Sequence, residues 1–156
     1  MGGVVPVVID GVQTRPLVQI PDERGKVMQM LRRDDPHFEE FGEIYFSWVY
    51  PSVVKGWHLH TEMILNYALL VGSVKLVLFD DRSDSRSRGQ LQEIYLTEGN
   101  YQLVRVPTGV WNGFKGTGVT PSLLANCATL PHDRAEIQRL DPFDNDIPYD
   151  WSLTHG

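Results

Sequence analysis

Short apolar runs alternate with turn-forming residues along almost the whole chain, and this spacing limits the possible folds more than any other feature. The runs are Val12–Ile20, Lys26–Leu31, Ile44–Tyr50, Ile64–Val71, Val74–Phe79, Gln92–Thr97, Gln102–Val106 and Ser122–Thr129. Tight turns are expected at Val71-Gly72-Ser73 and Glu98-Gly99-Asn100. Many short strands separated by turn signals predict an all-β sandwich or barrel. Pro36–Phe41 is the one segment interpreted as a short helix.

Composition and charge narrow the class of protein further. The chain has 156 residues, of which 42% are hydrophobic and 22% charged, so residues 1–156 are expected to form one domain with a single core. The formal net charge of -6 disfavours non-specific binding to nucleic acid or to a membrane surface, because both need a basic surface. The start of the chain lacks the basic and long apolar segments of a signal peptide, and the single Cys127 cannot form an internal disulfide. A cytoplasmic location is therefore expected.

The segment His58-Leu59-His60-Thr61-Glu62 carries the strongest signal of a functional site. Strand alternation would aim His58, His60 and Glu62 at one face and Trp57 at the opposite face. Titratable side chains on one face can line a cavity. The same three can also bind a divalent metal, which needs about three nitrogen or carboxylate ligands.

A second segment, Val104–Phe114, is predicted to be a strand that enters a Pro/Gly turn and leaves it as another strand. Together the two segments resemble the paired motifs of a cupin barrel. In that superfamily the second motif, P-x-G-x-x-H, supplies a further histidine to a metal, and here Asn112 holds that position. Because an amide oxygen is a weak substitute for imidazole, a site without metal is the prediction, with His58, His60 and Glu62 as the ligands if a metal binds.

Several short motifs extend the resemblance over most of the chain. They are Asp22-Glu23-Arg24-Gly25, Lys55-Gly56-Trp57-His58, Asp80-Asp81-Arg82, Pro107-Thr108-Gly109 and Asp141-Pro142. Their order resembles that of D-E-R-G, R-G-L-H, V-D-x-R, P-x-G-F-x-H-G-F and W-x-D-P in the dTDP-4-dehydrorhamnose 3,5-epimerases. The resemblance runs from about Asp22 to Trp151. It implies a cupin double-stranded β-helix (jelly-roll barrel), no cofactor, a nucleotide-diphosphate sugar substrate and a homodimer.

The resemblance also implies catalytic residues. His58 matches the histidine that removes a proton from the sugar carbon next to the C4 ketone, and Asp141 matches the aspartate that holds this histidine. A carboxylate bonded to one ring nitrogen fixes the tautomer, so the other nitrogen is ready to accept a proton. The competing interpretation is a histidine that only bonds to a neighbouring strand.

Substrate-binding residues are implied in the same way. Arg24 matches an arginine that contacts the diphosphate, often across a dimer interface, and Lys55 stands where the family has another arginine. A guanidinium suits a diphosphate, whereas lysine offers only a point charge. His60 and Asn112 complete the expected substrate-binding set, and the apolar stretch Val4–Ile9 would suit strand exchange between protomers.

Other family positions are altered. The tyrosine acid falls at Ala128 or Thr129, and the lysine beside the enolate falls at Leu65. Tyr67 lies two residues beyond Leu65 and can supply a displaced phenol, although a buried tyrosine more often finds a structural partner. These losses favour a single-centre epimerase or a ketosugar isomerase over a double epimerase. A non-catalytic cupin that binds a nucleotide sugar or small acid, and a metal-dependent cupin, remain alternatives.

Overall fold

The computed structural model describes residues 8–153 as two five-stranded sheets and a separate two-stranded hairpin. The strands are β1 (Gln13–Pro16), β2 (Gln19–Asp22), β3 (Gly25–Met28), β4 (Glu43–Val49), β5 (Val54–His60), β6 (Leu65–Val71), β7 (Ser73–Asp80), β8 (Leu91–Thr97), β9 (Gln102–Val106), β10 (Val110–Gly116), β11 (Ser122–Ala128) and β12 (Ile137–Arg139). One 3₁₀ turn, Arg134–Glu136, precedes β12. The predicted all-β jelly roll is confirmed. Within the described range, no helix is long and apolar enough to span a bilayer.

The two sheets face each other across the main core. The first sheet has the order β1-β9-β6-β11-β4 and the second β12-β5-β10-β7-β8, and their strand pairs are antiparallel. Alternate residues of each strand fill the space between the sheets, including Leu65 and Leu69 from the first and Leu76 and Leu78 from the second. Each fully buried side chain of this size stabilises the fold by roughly 1.5–3 kcal/mol.

The second sheet is also covered on its outer face. Trp57, Val77 and Phe79 pack there against Ile147 and Trp151 of the C-terminal segment. Burial of both faces explains why β7 lacks a polar alternation, since Leu76, Val77 and Leu78 are all fully buried. The C-terminal segment therefore belongs to the outer layer, away from the space between the sheets.

The structure differs from the sequence expectations at two places, and a third expectation is not tested. Pro36–Phe41 forms a turn and irregular chain instead of a helix, because Arg15 pairs with Asp35 and Arg105 with Glu39, which holds the segment against the first sheet. Val12–Ile20 divides into β1 and β2, and Leu17 between them donates its amide to Tyr101. The strand exchange expected of Val4–Ile9 falls mostly outside the described residues.

Candidate active site

A cavity of about 330 Å³ opens between the two sheets at one end of the barrel. It is lined by Glu43, Tyr45, His58, His60, Met63, Tyr67, His132, Ile137 and Arg139. β4 and β6 of the first sheet contribute one wall, with both tyrosines, while β5 and β12 of the second sheet contribute the other, with His58 and His60. The two phenols thus lie opposite the imidazoles of His58 and His60.

A β-bulge in β5 sets the direction of its side chains. Asn112 of β10 pairs with His58, but Phe114 pairs with Lys55, so β5 has one more residue than β10 over this stretch. His58 and His60 share the cavity face and Trp57 lies on the outer face, as alternation predicts. Lys55 is turned between the sheets by the bulge, and its Nζ donates to Ser47 Oγ of β4 at 2.9 Å.

His60 is held by a carboxylate that the sequence did not suggest. Its Nδ1 lies 2.5 Å from Glu136 Oε1, and the two side chains are 8% and 5% exposed. Glu136 Oε2 accepts hydrogen bonds from the backbone amides of Glu62 and Met63. Burial opposes ionisation of Glu136, but the bonds from His60 and the two amides outweigh it, so its pKa is lowered. The 3₁₀ turn, capped by Asp133, places this carboxylate beside β5.

His58 has a different environment. Burial, followed by the nearby basic side chains of Arg139, His60 and Lys55, lowers the pKa of His58 to about 4, so its imidazole is neutral near pH 7. Arg139 is its register partner on β12. Among the described contacts, no carboxylate bonds to the His58 ring.

Asp141 therefore does not pair with His58 in this chain. Trp57 and Leu140 exchange backbone hydrogen bonds, and the chain then enters the segment that covers the outer face of the second sheet. The Asp141 side chain is exposed and accepts the amide of Phe143 at 2.8 Å, which stabilises a local turn. The expected His58–Asp141 contact is absent from the described residues, and the buried histidine–carboxylate pair beside the cavity is His60–Glu136.

Tyr67 and Asn112 connect the two sheets beneath the cavity. Tyr67 Oη donates to Asn112 Oδ1 at 2.9 Å, and Asn112 Nδ2 donates to the backbone carbonyl of His58 at 3.1 Å. Both side chains are buried, and burial raises the pKa of Tyr67 well above its ordinary value. Asn112, expected to bind substrate, instead anchors β5 and Tyr67.

Tyr45 is a cavity residue that the sequence did not single out. Its Oη accepts a hydrogen bond from Asn126 Nδ2 at 2.9 Å. Asn126 of β11 is the register partner of both Tyr45 on β4 and Tyr67 on β6, so the three lie side by side in the first sheet. Burial raises the pKa of Tyr45, and the bond from Asn126 opposes that rise.

Two further expected site residues lie away from the cavity. Arg24, at the tip of the β2–β3 hairpin, has an 86% exposed side chain paired with Asp22. Glu62 is exposed, because β5 ends at His60 and the chain bends, so it does not share the histidine face. Within residues 8–153, no three His, Cys, Asp or Glu side chains are grouped closely enough to hold a metal ion.

Comparison with known proteins identifies the family. A family model described as dTDP-4-dehydrorhamnose 3,5-epimerase matches residues 6–155. The chain belongs to the dTDP-4-dehydrorhamnose 3,5-epimerase family. The predicted membership in this cupin family is thus confirmed.

Relatives and a solved structure match nearly the whole chain. It is 37% identical to the probable low-salt glycan biosynthesis epimerase Agl13 of Haloferax volcanii, with 91% of this chain and 89% of that protein covered. It is 31% identical to the spore coat polysaccharide biosynthesis protein SpsL of Bacillus subtilis, with 92% and 97% covered. The crystal structure of a dTDP sugar isomerase from Desulfovibrio desulfuricans G20 is 44% identical, with a TM-score of 0.90 and 92% of both chains covered.

The altered positions of this epimerase-family member have structural roles. Ala128 and Leu65 are buried in the main core. Thr129 Oγ1 accepts the amide of Ile64 at 2.9 Å. None of these side chains can give a proton to a substrate, so any acid must come from elsewhere in the cavity.

The sequence gives no clear signal for three residues of the site, Glu136, Tyr45 and Arg139, and the reason differs for each. Glu136 is 76 positions from His60 and belongs to no recognisable motif. Tyr45 lies on a strand whose outward residues, such as Phe46 and Trp48, are also apolar, so alternation could not tell its two faces apart. Arg139 lies on a three-residue strand, too short for a periodic pattern.

Proposed function

We propose that this protein removes a proton from the carbon next to the ketone of a nucleotide-diphosphate 4-keto-6-deoxyhexose, as a single-centre epimerase or ketosugar isomerase. The observation that carries the proposal is the buried His60–Glu136 pair facing a cavity between two sheets. Family membership supports the substrate class.

His60 is the base in this proposal. The Glu136 carboxylate at Nδ1 fixes the tautomer and stabilises the imidazolium that forms, which leaves Nε2 to accept the proton. His58 serves as a neutral hydrogen-bond donor to the developing enolate oxygen, a role that fits an imidazole with a pKa of about 4.

The diphosphate needs cations at the cavity entrance. Arg139 supplies one within the same chain, and a guanidinium can bind phosphate oxygens in a bidentate manner. Arg24 is too exposed to serve its own cavity, so we place it in the cavity of a second protomer, with the β2–β3 hairpin as the arm that carries it. Lys55, bonded to Ser47, supports the wall instead of holding phosphate.

Proton NMR in deuterium oxide with dTDP-4-keto-6-deoxyglucose tests the proposal. Wild-type protein should place deuterium at C3 or C5, and His60→Gln should reduce exchange by about 10²–10⁴-fold. Tyr95→Phe, on the exposed side of β8, is the matched control and should exchange at the wild-type rate. If deuterium exchange persists in His60→Gln but is lost in His58→Gln, then His58 is the base and His60 is not.

A non-catalytic sugar-binding cupin is the second candidate, and the apolar residues Ala128 and Leu65 at two family functional positions favour it. Binding of the nucleotide sugar without any exchange in the wild-type protein would establish this function in place of catalysis.

A further inference from the structure

We propose that Tyr45 is the acid that returns a proton to the sugar, on the face opposite to the one from which His60 removes it. This inference rests on the proposed function and names the group that replaces the missing family tyrosine.

The placement of Tyr45 meets the geometric requirement of inversion. An epimerase must remove a proton from one face of a carbon and supply one to the other face. His60 lies on β5 of the second sheet and Tyr45 on β4 of the first, and both line the same cavity between the sheets. A sugar bound between these walls has the imidazole on one face and the phenol on the other.

Hydrogen bonding separates Tyr45 from Tyr67, the other phenol in the cavity. Asn112 Nδ2 donates to His58, so its Oδ1 must accept from Tyr67, and the Tyr67 proton is already used. Tyr45 is the acceptor in its bond with Asn126, which leaves its own proton free. Tyr45 is also 39% exposed, whereas Tyr67 is only 5% exposed. Tyr45 is therefore the phenol that can reach a substrate with a proton to give.

Asn126 is suited to support the phenolate that the transfer leaves behind. Its Oδ1 accepts the backbone amide of Asn66 at 3.0 Å, which fixes the side-chain amide so that Nδ2 points at Tyr45 Oη. A preorganised donor of this kind stabilises negative charge as it develops. Tyr45 keeps its proton at neutral pH, because burial raises its pKa.

The step balances without a further reactant. His60 Nε2 takes the proton, the C–H electron pair forms the C=C bond of an enolate, and the carbonyl π pair moves to oxygen. When the enolate collapses, the C=C pair takes the Tyr45 proton on the opposite face and the ketone re-forms. A phenolate and an imidazolium remain, and exchange with solvent restores both groups.

Tyr45→Phe tests proton return separately from proton removal, because it keeps the ring and removes only the hydroxyl. In deuterium oxide with dTDP-4-keto-6-deoxyglucose, the variant should still place deuterium at the reacting carbon, since His60 and its exchanged proton remain. The deuterated sugar should keep its original configuration, and the epimer should form about 10²–10⁴-fold more slowly than with wild type. Tyr95→Phe is the matched control and should give the wild-type ratio of epimer to exchanged substrate.

Three results would overturn the inference. One is epimer formation at the wild-type rate by Tyr45→Phe. Another is exchange without inversion in Tyr67→Phe but not in Tyr45→Phe, which would make Tyr67 the acid. The third is the absence of exchange in the wild-type protein, which would contradict the proposed function as well. The first two results arise only in the variants, so they contradict the role of Tyr45 and leave the proposed function intact. A folded Tyr45→Phe, verified by an unchanged melting curve, excludes loss of structure as the cause.

Discussion

Two histidines on one strand face acquire different chemistry from their neighbours. His60 contacts a carboxylate, whereas His58 faces the guanidinium of Arg139. The carboxylate holds Nδ1 of His60 and orients its ring, whereas burial and nearby basic side chains lower the pKa of His58. Environment alone therefore divides the two side chains into a candidate base and a candidate hydrogen-bond donor.

Replacement of Glu136 by Gln should impair both catalysis and stability. The amide has one acceptor oxygen, so it cannot accept from His60 and also from the backbone amides of Glu62 and Met63. We expect kcat to fall by about 10²–10⁴-fold, because the imidazolium loses its carboxylate, and the unfolding free energy to fall by about 1–3 kcal/mol. Glu62→Gln, at the exposed end of the same segment, is the control for loss of one negative charge. A normal rate in Glu136→Gln, together with an inactive His60→Gln, would reduce Glu136 to a structural role.

The pKa of His58 predicts a dependence of stability on pH. Its value of about 4 lies below the ordinary 6.5, so between these values the unfolded chain binds the proton more readily. The contribution of His58 to the free energy of unfolding is complete above about pH 6.5, and it is lost as the pH falls towards 4. We expect a loss of about 1–2 kcal/mol, after allowing for screening of a half-buried ring.

Urea unfolding of the wild type and of His58→Gln between pH 4 and 7 measures this effect. As the pH falls, the unfolding free energy of the wild type should decrease relative to that of His58→Gln. A difference that stays constant over the whole range would show that the ring titrates alike in both states.

The part of the site that could be predicted is the part encoded locally. Alternation placed His58 and His60 on one face, and the motif order identified the family. The partner of His60 comes from a distant 3₁₀ turn, so no local pattern contains it. Asp141 matched a family motif, yet the backbone pairing of Trp57 with Leu140 directs it to the outer layer. The path of the chain over long sequence separations, and not the residue type, therefore determines which carboxylate contacts a histidine.

At the scale of elements, turns were predicted well because glycine has a specific backbone role. Gly72 is the single residue between β6 and β7, where the chain passes from one sheet to the other with a φ of 85°. Glu98-Gly99-Asn100 forms the expected turn after β8. The helix predicted at Pro36–Phe41 was wrong, because six residues are too few for a helix to be stable on its own propensity. Ion pairs of Arg15 with Asp35 and of Arg105 with Glu39 tie this part of the chain to the first sheet instead.

Gly72→Ala should destabilise the barrel. The new Cβ would lie 2.2 Å from Ser122 Oγ, and an L-residue is strained at this φ, so we expect a loss of about 2–4 kcal/mol. Gly99→Ala is the matched control, because no atom lies within 4 Å of its added Cβ, and its effect should stay within about 0.5 kcal/mol. Thermal and urea denaturation measure both, and equal losses would contradict the strain argument.

At the scale of the whole molecule, a large apolar surface lies on the outside of the first sheet. Ile44, Phe46 and Trp48 project outward from the edge strand β4 and are 47%, 57% and 53% exposed. The separate β2–β3 hairpin also exposes Ile20 and Val27, which are 48% and 60% exposed. Three large apolar side chains exposed on one edge strand are typical of an interface. We infer that this surface packs against a second copy of the chain, which would also bring Arg24 to a neighbouring cavity.

Subunit mixing tests this arrangement directly, because Arg24 and His60 would serve one cavity from different chains. Arg24→Ala and His60→Gln should each lose most activity alone. When the two variants are unfolded together and refolded, half of the dimers are mixed. Each mixed dimer has one cavity with both native residues, so activity should return to about a quarter of the wild-type level.

Light scattering should show that the wild-type protein is a dimer and that Trp48→Glu dissociates it. If the mixture stays inactive while the dimer forms, Arg24 does not act across the interface; a wild-type monomer would leave the outer face of β4 to another partner.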